Sequence, residues 1–332
     1  MPRPAVPMVD VVRGPFAEST HAGHAVLCDD TGAIVQAWGD PDAVILPRSS
    51  AKMIQALPLV ASGAAAAHGL GTDRLALACA SHEGAPLHVA AVNAWLDDLA
   101  LGDGDLICGP QAPRDKALRH EMICAGQSPC RVHNNCSGKH AGFLTLSRHL
   151  GAGRDYVDPD NAVQLAIRDA FETVTGAPSP GFGIDGCSAP NLATTMQGMA
   201  RAMAFFAAGH TRDDTLSRAA AALTDAMISH PMLVAGEGRA CTLLMGAARE
   251  RVAIKTGAEG FFIAILPERR QGLAIKISDG ATRASECAVA AILVQLGVLD
   301  AAHPDVKRFL NPDVMNFAGL TTGEIRPAAT FP

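Results

Sequence analysis

Val252-Ala253-Ile254-Lys255-Thr256-Gly257 is a short apolar run that ends in an amine, a hydroxyl and a glycine. Its length and β-branched content read as a strand. Two more follow, Phe261 to Leu266 and Leu273 to Ile277, parted by glycines and the charged Glu268-Arg269-Arg270. At the other end of the chain, up to about residue 40, apolar and polar side chains alternate, and Asp29-Asp30-Thr31-Gly32 between Val26 and Ile34 is a hairpin turn signal. Between these ends the period changes. Residues 52–61, 88–101, 141–150, 162–174, 192–208 and 216–228 repeat apolar positions every three or four residues, as helices do, and a further helix is expected over 281–296. Strands at both ends with helices between them predict an α+β fold, in which one antiparallel sheet is assembled from both chain ends and the middle is inserted as a helical lobe. The expected division, within a single domain, is a sheet lobe of about 1–48 and 250–332 and a helical lobe of about 49–249. Ligand sites favour clefts, and a cleft between two such lobes would draw on segments of each.

Composition narrows the function classes. With 332 residues, 48% of them hydrophobic, the chain can bury a large core. Its charged fraction of 18% and few aromatics describe an Ala/Gly-rich globular protein. A formal charge of -6 without any basic cluster argues against nucleic acid as a partner. The first residues lack the small-residue cleavage site of a secretory signal. The best apolar run, Cys287 to Leu299, is too short for a membrane span and carries Gln295 and Gly297. Nine cysteines, an odd number without an export signal, read as thiols or metal ligands. A cytosolic protein with no membrane partner is expected.

Only six of the 27 basic residues are lysine, and three of those six sit in polar clusters: Arg48-Ser49-Ser50-Ala51-Lys52, Cys136-Ser137-Gly138-Lys139 and Lys255-Thr256-Gly257. Arginine stays protonated, whereas a partly buried amine can become neutral and take a proton from a serine. Ser49 and Lys52, three apart at a predicted helix start, fall on one face about a turn apart. Ser-x-x-Lys is a recurrent way of activating a serine in acyl-transfer enzymes. The plain alternative is a capping serine beside a solvated lysine. In serine β-lactamases and penicillin-binding proteins a Ser-x-x-Lys helix is matched by a Lys-Thr-Gly strand, in the order found here. Their intervening Ser-Asp-Asn is missing. Ala80-Ser81-His82-Glu83-Gly84 offers Ser81 as a second hydroxyl, with a helix N-cap as its other reading.

Cys136, Lys139 and Cys187 place two thiols and an amine in Gly-rich turns. Two thiolates and one further ligand would leave an open position on zinc, although lysine must first lose its proton to ligate; buried free thiols are the alternative. His82, His133, His140 and His230 are dispersed, without metal-pair spacing.

The motifs together resemble the class 3, rhizobial-type (thermolabile asparaginase II-like) L-asparaginases, whose fold is like that of serine β-lactamases and glutaminases. The resemblance runs from Arg13-Gly14 and Glu18-Ser19-Thr20-His21 through Pro47-Arg48-Ser49, Ala80 to Gly84 and Asn134-Asn135-Cys136-Ser137-Gly138-Lys139-His140. It continues through Gly183-Ile184-Asp185-Gly186-Cys187-Ser188-Ala189-Pro190, His230-Pro231, Gly236-Glu237-Gly238-Arg239 and Lys255 to Gly260, and ends at Gly323-Glu324-Ile325-Arg326. It implies two serine-lysine tandems, Ser49 with Lys52 and Ser81 with Lys255, and a zinc site on Cys136, Lys139 and Cys187 that supports substrate binding more than bond breaking. It also implies substrate contacts at Arg48, His140 and Asp185, with Asp185 facing an α-ammonium. The expected enzyme is a homodimeric L-asparaginase that releases ammonia from the L-asparagine side chain through a serine acyl-enzyme; either serine could carry the acyl group. The rival readings are a glutaminase or other Ser-Lys amidohydrolase, and a non-catalytic metal- or amino-acid-binding protein. One departure stands out: Met53 follows Lys52 where the family pattern leads one to expect proline.

Overall fold

The structure, a computed structural model, describes residues 3–332. The chain divides into two compact units. One consists of the chain up to Ser50, residues 194–207 and residues 240–332; the other consists of residues 51–193 and 208–239.

The first unit is built on an antiparallel sheet of eight strands drawn from both ends of the chain. Its order is Asp313–Met315, Thr321–Pro327, Val6–Arg13, Phe16–Asp29, Gln271–Ile277, Phe261–Leu266 and Ala253–Thr256, with Ile34–Trp38 also pairing the long strand Phe16–Asp29. The turn at Asp29 to Gly32 forms as expected: the Asp29 carboxylate accepts from the amides of Thr31 and Ala33. All six residues of Phe261–Leu266 are buried. Successive strand residues point to opposite faces, so both faces of the sheet are covered here. Helices Met196–Ala207 and Thr282–Gln295 pack on this sheet.

The sequence period suggests a helix from residue 192. The structure instead has short strands at Pro190–Leu192 and Thr194–Thr195, and the helix begins at Met196. Strand Val44–Ile45 pairs with Thr194–Thr195, which forces extended backbone where apolar spacing suggests helix. Helix Met196–Ala207 then belongs to the sheet unit, because Gly272 in the strand beneath lets the helix backbone close on it.

The second unit is helical. Its centre is Ser137–Leu150, in which every residue from Ser137 to Ser147 is buried. Such a helix is enclosed all round. Gly138 allows the approach, since a Cβ there would stand 2.5 Å from the Leu77 carbonyl. The enclosed stretch therefore puts Ser137, Lys139 and His140 in the core. Around it lie Thr72–Ala78, Pro86–Asp98 and Ala162–Thr175, and Thr215–Ser229 packs on Thr72–Ala78. The single helix expected over 52–61 is two, Lys52–Gln55 and Leu57–Ala61, with Pro58 in the first turn of the second. No helix among the described residues is long and apolar enough to cross a membrane.

Candidate active site

In the sheet unit, Arg48–Ala51 forms a single 3-10 turn that leads into helix Lys52–Gln55. Arg48 has φ 52, the left-handed region that a non-glycine residue rarely adopts, and such strain gathers where geometry matters more than stability. Ser49 is half-buried and follows it directly. The helix N-cap is Ala51, with no side-chain cap bond, so Ser49 is not a capping serine. Ser50 is buried, and its hydroxyl donates to the Lys255 carbonyl at 3.1 Å. The serine turn therefore lies along the strand Ala253–Thr256. Gly257 admits this approach, because a Cβ there would meet the Pro47 carbonyl at 2.7 Å and the Ser50 hydroxyl at 2.9 Å. Lys255 is 0% exposed and its ammonium donates to the Thr256 carbonyl at 2.7 Å.

In the helical unit, Lys52 is 1% exposed and gives hydrogen bonds to two backbone carbonyls, Ala80 at 2.5 Å and Asn135 at 3.2 Å. Those carbonyls immediately precede Ser81 and Cys136, so one amine ties the second candidate serine to the thiol segment. Ser81 is buried in the irregular stretch after Thr72–Ala78, and its amide donates to the Val234 carbonyl. The next helix starts at Pro86 with Ala85 as N-cap, so Ser81 does not cap it.

His82 is scaffolding. The Ser137 hydroxyl donates to the Val132 carbonyl at 2.9 Å, so its oxygen accepts from His82 Nε2, also at 2.9 Å. The Gly84 amide donates to His82 Nδ1, and both ring nitrogens of a neutral imidazole are thereby satisfied.

Cys136, Lys139 and Cys187 come together, each nearly excluded from solvent. The Lys139 ammonium is 3.1 Å from the Cys187 sulfur. A hydrogen bond from Cys136 does most to pull the Cys187 thiol far below its ordinary pKa; burial opposes it, and Lys139 and His140 add to it. Cys136 moves the opposite way, raised by that same bond and then by burial. Cys136 is also the residue before helix Ser137–Leu150, whose N-terminal amides favour an anion. Burial alone would lower the Lys139 ammonium, but the Cys187 and Cys136 sulfurs outweigh it and hold its pKa above the ordinary lysine value. Burial pushes His140 down to about 4 despite the nearby Cys187. His140 Nδ1 bonds the Tyr156 hydroxyl at 3.0 Å, and its buried Nε2 has no hydrogen-bond partner. Asp185 sits in the turn that presents Cys187, half-buried, and acts electrostatically on Lys139. Ser188, next to Cys187, adopts φ 70, a second strained position beside a candidate residue.

Among the described residues no three His, Cys, Asp or Glu side chains are grouped to hold a metal ion. The candidate set counts two cysteines, its third donor being Lys139. Two sulfurs and an amine gathered in one buried place, near an imidazole nitrogen that lacks a partner, nevertheless suit zinc with one position left open.

Two contributors are not singled out by the sequence reading. Asn135 receives Lys52 on its carbonyl and Cys136 on its carboxamide oxygen, and its amide is held by the Gln111 side chain at 3.1 Å. Tyr156 is the single tyrosine of the chain and is fully buried, a signal that was available in composition.

Comparison with known proteins places the chain among the amidohydrolases. The sequence pattern of the L-asparaginase II family matches residues 9–327, and the chain belongs to that family. No curated protein matches it. Among solved structures, that of Mglu in its tris and glutamate form is similar over 85% of this chain and 61% of that one, with 14% identity and a TM-score of 0.47. Mglu in its native form is similar over 85% and 66%, with 15% identity and the same TM-score of 0.47. A beta-lactamase from Mycobacterium bovis is similar over 83% and 95%, with 13% identity and a TM-score of 0.37. The chain thus spans less than two thirds of the length of each of these two Mglu chains.

Proposed function

We propose that the chain hydrolyses the side-chain amide of L-asparagine to L-aspartate and ammonia through a serine acyl-enzyme with lysine bases. The observation that carries this reading is the setting of Lys52. A neutral amine has two N–H donors and one lone pair. The Ala80 and Asn135 carbonyls occupy two donors, which leaves the lone pair for a serine proton. Ser49 gives its proton to Lys52, and its oxygen attacks the side-chain amide carbon. Backbone N–H donors hold the tetrahedral oxyanion, each worth about 3 kcal/mol. Collapse breaks the C–N bond, the nitrogen takes the proton held by Lys52, relayed by Ser81 with Lys255, and ammonia leaves an aspartyl ester on Ser49 with Lys52 neutral again. Water then adds to the ester, giving up a proton to Lys52, and aspartate departs as Ser49 regains its hydrogen. Asp185 takes the substrate α-ammonium, Arg48 its α-carboxylate, and His140 contributes a neutral imidazole. Ammonia release from L-asparagine by the purified protein is the expected result, with glutamine and a chromogenic β-lactam as controls. Glutamine differs by one methylene, worth about 1 to 3 kcal/mol of discrimination, so preferred turnover of glutamine would reassign the substrate.

Cys136, Lys139 and Cys187 would hold zinc, which when bound supplies positive charge that supports substrate binding. Chelation is therefore expected to raise KM for L-asparagine more than it lowers kcat. Equal loss in both parameters, measured before and after zinc is restored, would assign the metal to bond breaking. A cytosolic homodimer is part of the same proposal, resting on the family resemblance, and sedimentation of the purified chain tests its oligomeric part.

A further inference from the structure

The helical unit carries a cavity of about 550 Å³ whose lining includes none of Cys136, Lys139 and Cys187, a volume in the range of small-molecule sites. Its floor is aliphatic, made by Leu99, Leu101, Ile107 and Leu144, and its rim carries both charges twice, on Arg148 and Arg154 and on Asp105 and Asp155. One member of each sign is fixed. Arg148 donates to the Leu99 carbonyl at 2.6 Å, and the Asp105 carboxylate accepts from the Gly102 amide at 3.0 Å. The other two, Arg154 and Asp155, are exposed, and no ion pair or side-chain hydrogen bond within the described residues uses either. The walls are tied down: Ser147 donates to the Gly153 carbonyl at 2.5 Å, and Arg131 donates to the carbonyls of Gly104 and Leu106 at 2.7 and 2.8 Å. Ala100, on the lining, is held at φ 50 although it is not glycine.

An apolar floor under a rim that offers a guanidinium and a carboxylate matches a molecule with one carboxylate, one ammonium and a short hydrocarbon tail. We propose that this cavity is a regulatory site for a free α-amino acid with an aliphatic side chain, and that Tyr156 passes its occupancy to His140. The Tyr156 hydroxyl accepts from the Ile107 amide at 2.7 Å and bonds His140 Nδ1 at 3.0 Å. Ile107 lines the cavity and Tyr156 follows the rim residue Asp155, so an occupant that moves either wall acts on His140 through one buried side chain. The effect on catalysis rests on the proposed amide hydrolysis; the binding does not.

The test is thermal melting of the full chain with L-leucine up to about 10 mM, beside isovalerate, which lacks the ammonium, and isoamylamine, which lacks the carboxylate. L-Leucine is expected to raise Tm saturably and the two single-headed analogues are not. Arg154→Glu and Asp155→Asn, both at exposed positions, are each expected to abolish the rise. In the same protein L-leucine should change KM for L-asparagine by roughly 5-fold or more, and Tyr156→Phe should keep the Tm shift while losing the KM change. No L-leucine shift, or one that survives both rim variants, overturns the site. A KM change that survives Tyr156→Phe overturns the coupling. If the parent releases no ammonia from any amide, the proposed activity falls while the melting data still decide whether the site exists.

Discussion

Lys52→Ala is expected to lower kcat/KM for L-asparagine by roughly a thousandfold, and Lys52→Arg is expected not to restore it. The two substitutions separate two jobs of one side chain. Lys52 fills buried space and satisfies the Ala80 and Asn135 carbonyls, and a guanidinium has donors enough for both. What arginine lacks is a lone pair at operating pH, so an arginine variant that folds isolates the proton-accepting role. Alanine also strands two buried carbonyls, at about 1–3 kcal/mol each, so its melting temperature must be read beside its kinetics. Ser49→Ala should lose about as much turnover, and the double variant should be little worse than either, because a nucleophile without its base and a base without its nucleophile fail at the same step. Ammonia release measured across the four proteins decides this. Arginine activity within tenfold of the parent, or losses that multiply in the double variant, would remove Lys52 from the role of base.

The sheet was legible because its strands lie in strand-rich ends of the chain and the turn at Asp29 to Gly32 needs only local chemistry. Most helices were legible for the same reason, since apolar period reports a buried stripe. The helix expected from residue 192 starts late because pairing of Thr194–Thr195 with Val44–Ile45 is a long-range event that no local window contains. Its place on the sheet depends on the missing side chain of Gly272, which in the sequence looks like any strand glycine. At the candidate site, lysine scarcity drew attention to Lys52, Lys139 and Lys255, and all three are buried. Their partners were not legible. Lys52 and Lys255 bond to backbone carbonyls, and a carbonyl has no sequence signature. His82, one of the dispersed histidines without metal-pair spacing, is buried, and both its nitrogens are used in holding Ser137 and Gly84.

Gly272→Ala is expected to destabilise the protein by about 3 kcal/mol, at the upper end of the overpacking range. An ideal Cβ at Gly272 would collide with the Ala204 amide nitrogen, the Ala200 carbonyl oxygen and the Met203 carbonyl carbon. These are helix backbone atoms and cannot turn aside as a side chain does. Helix Met196–Ala207 must therefore lift from the strand, and buried residues such as Met199, Ala200 and Met203 lose contact with the sheet. Gly246→Ala supplies the contrast within the same unit. Gly246 lies in helix Ala240–Ala247, is exposed, and would meet nothing within 4 Å of a new Cβ. There alanine improves helix propensity and is expected to stabilise by up to about 1 kcal/mol. The same one-carbon change should thus act with opposite sign at the two positions, read as urea midpoints at constant m-value. If both variants shift the midpoint alike, the close seating of helix Met196–Ala207 on strand Gln271–Ile277 is not what requires glycine at position 272.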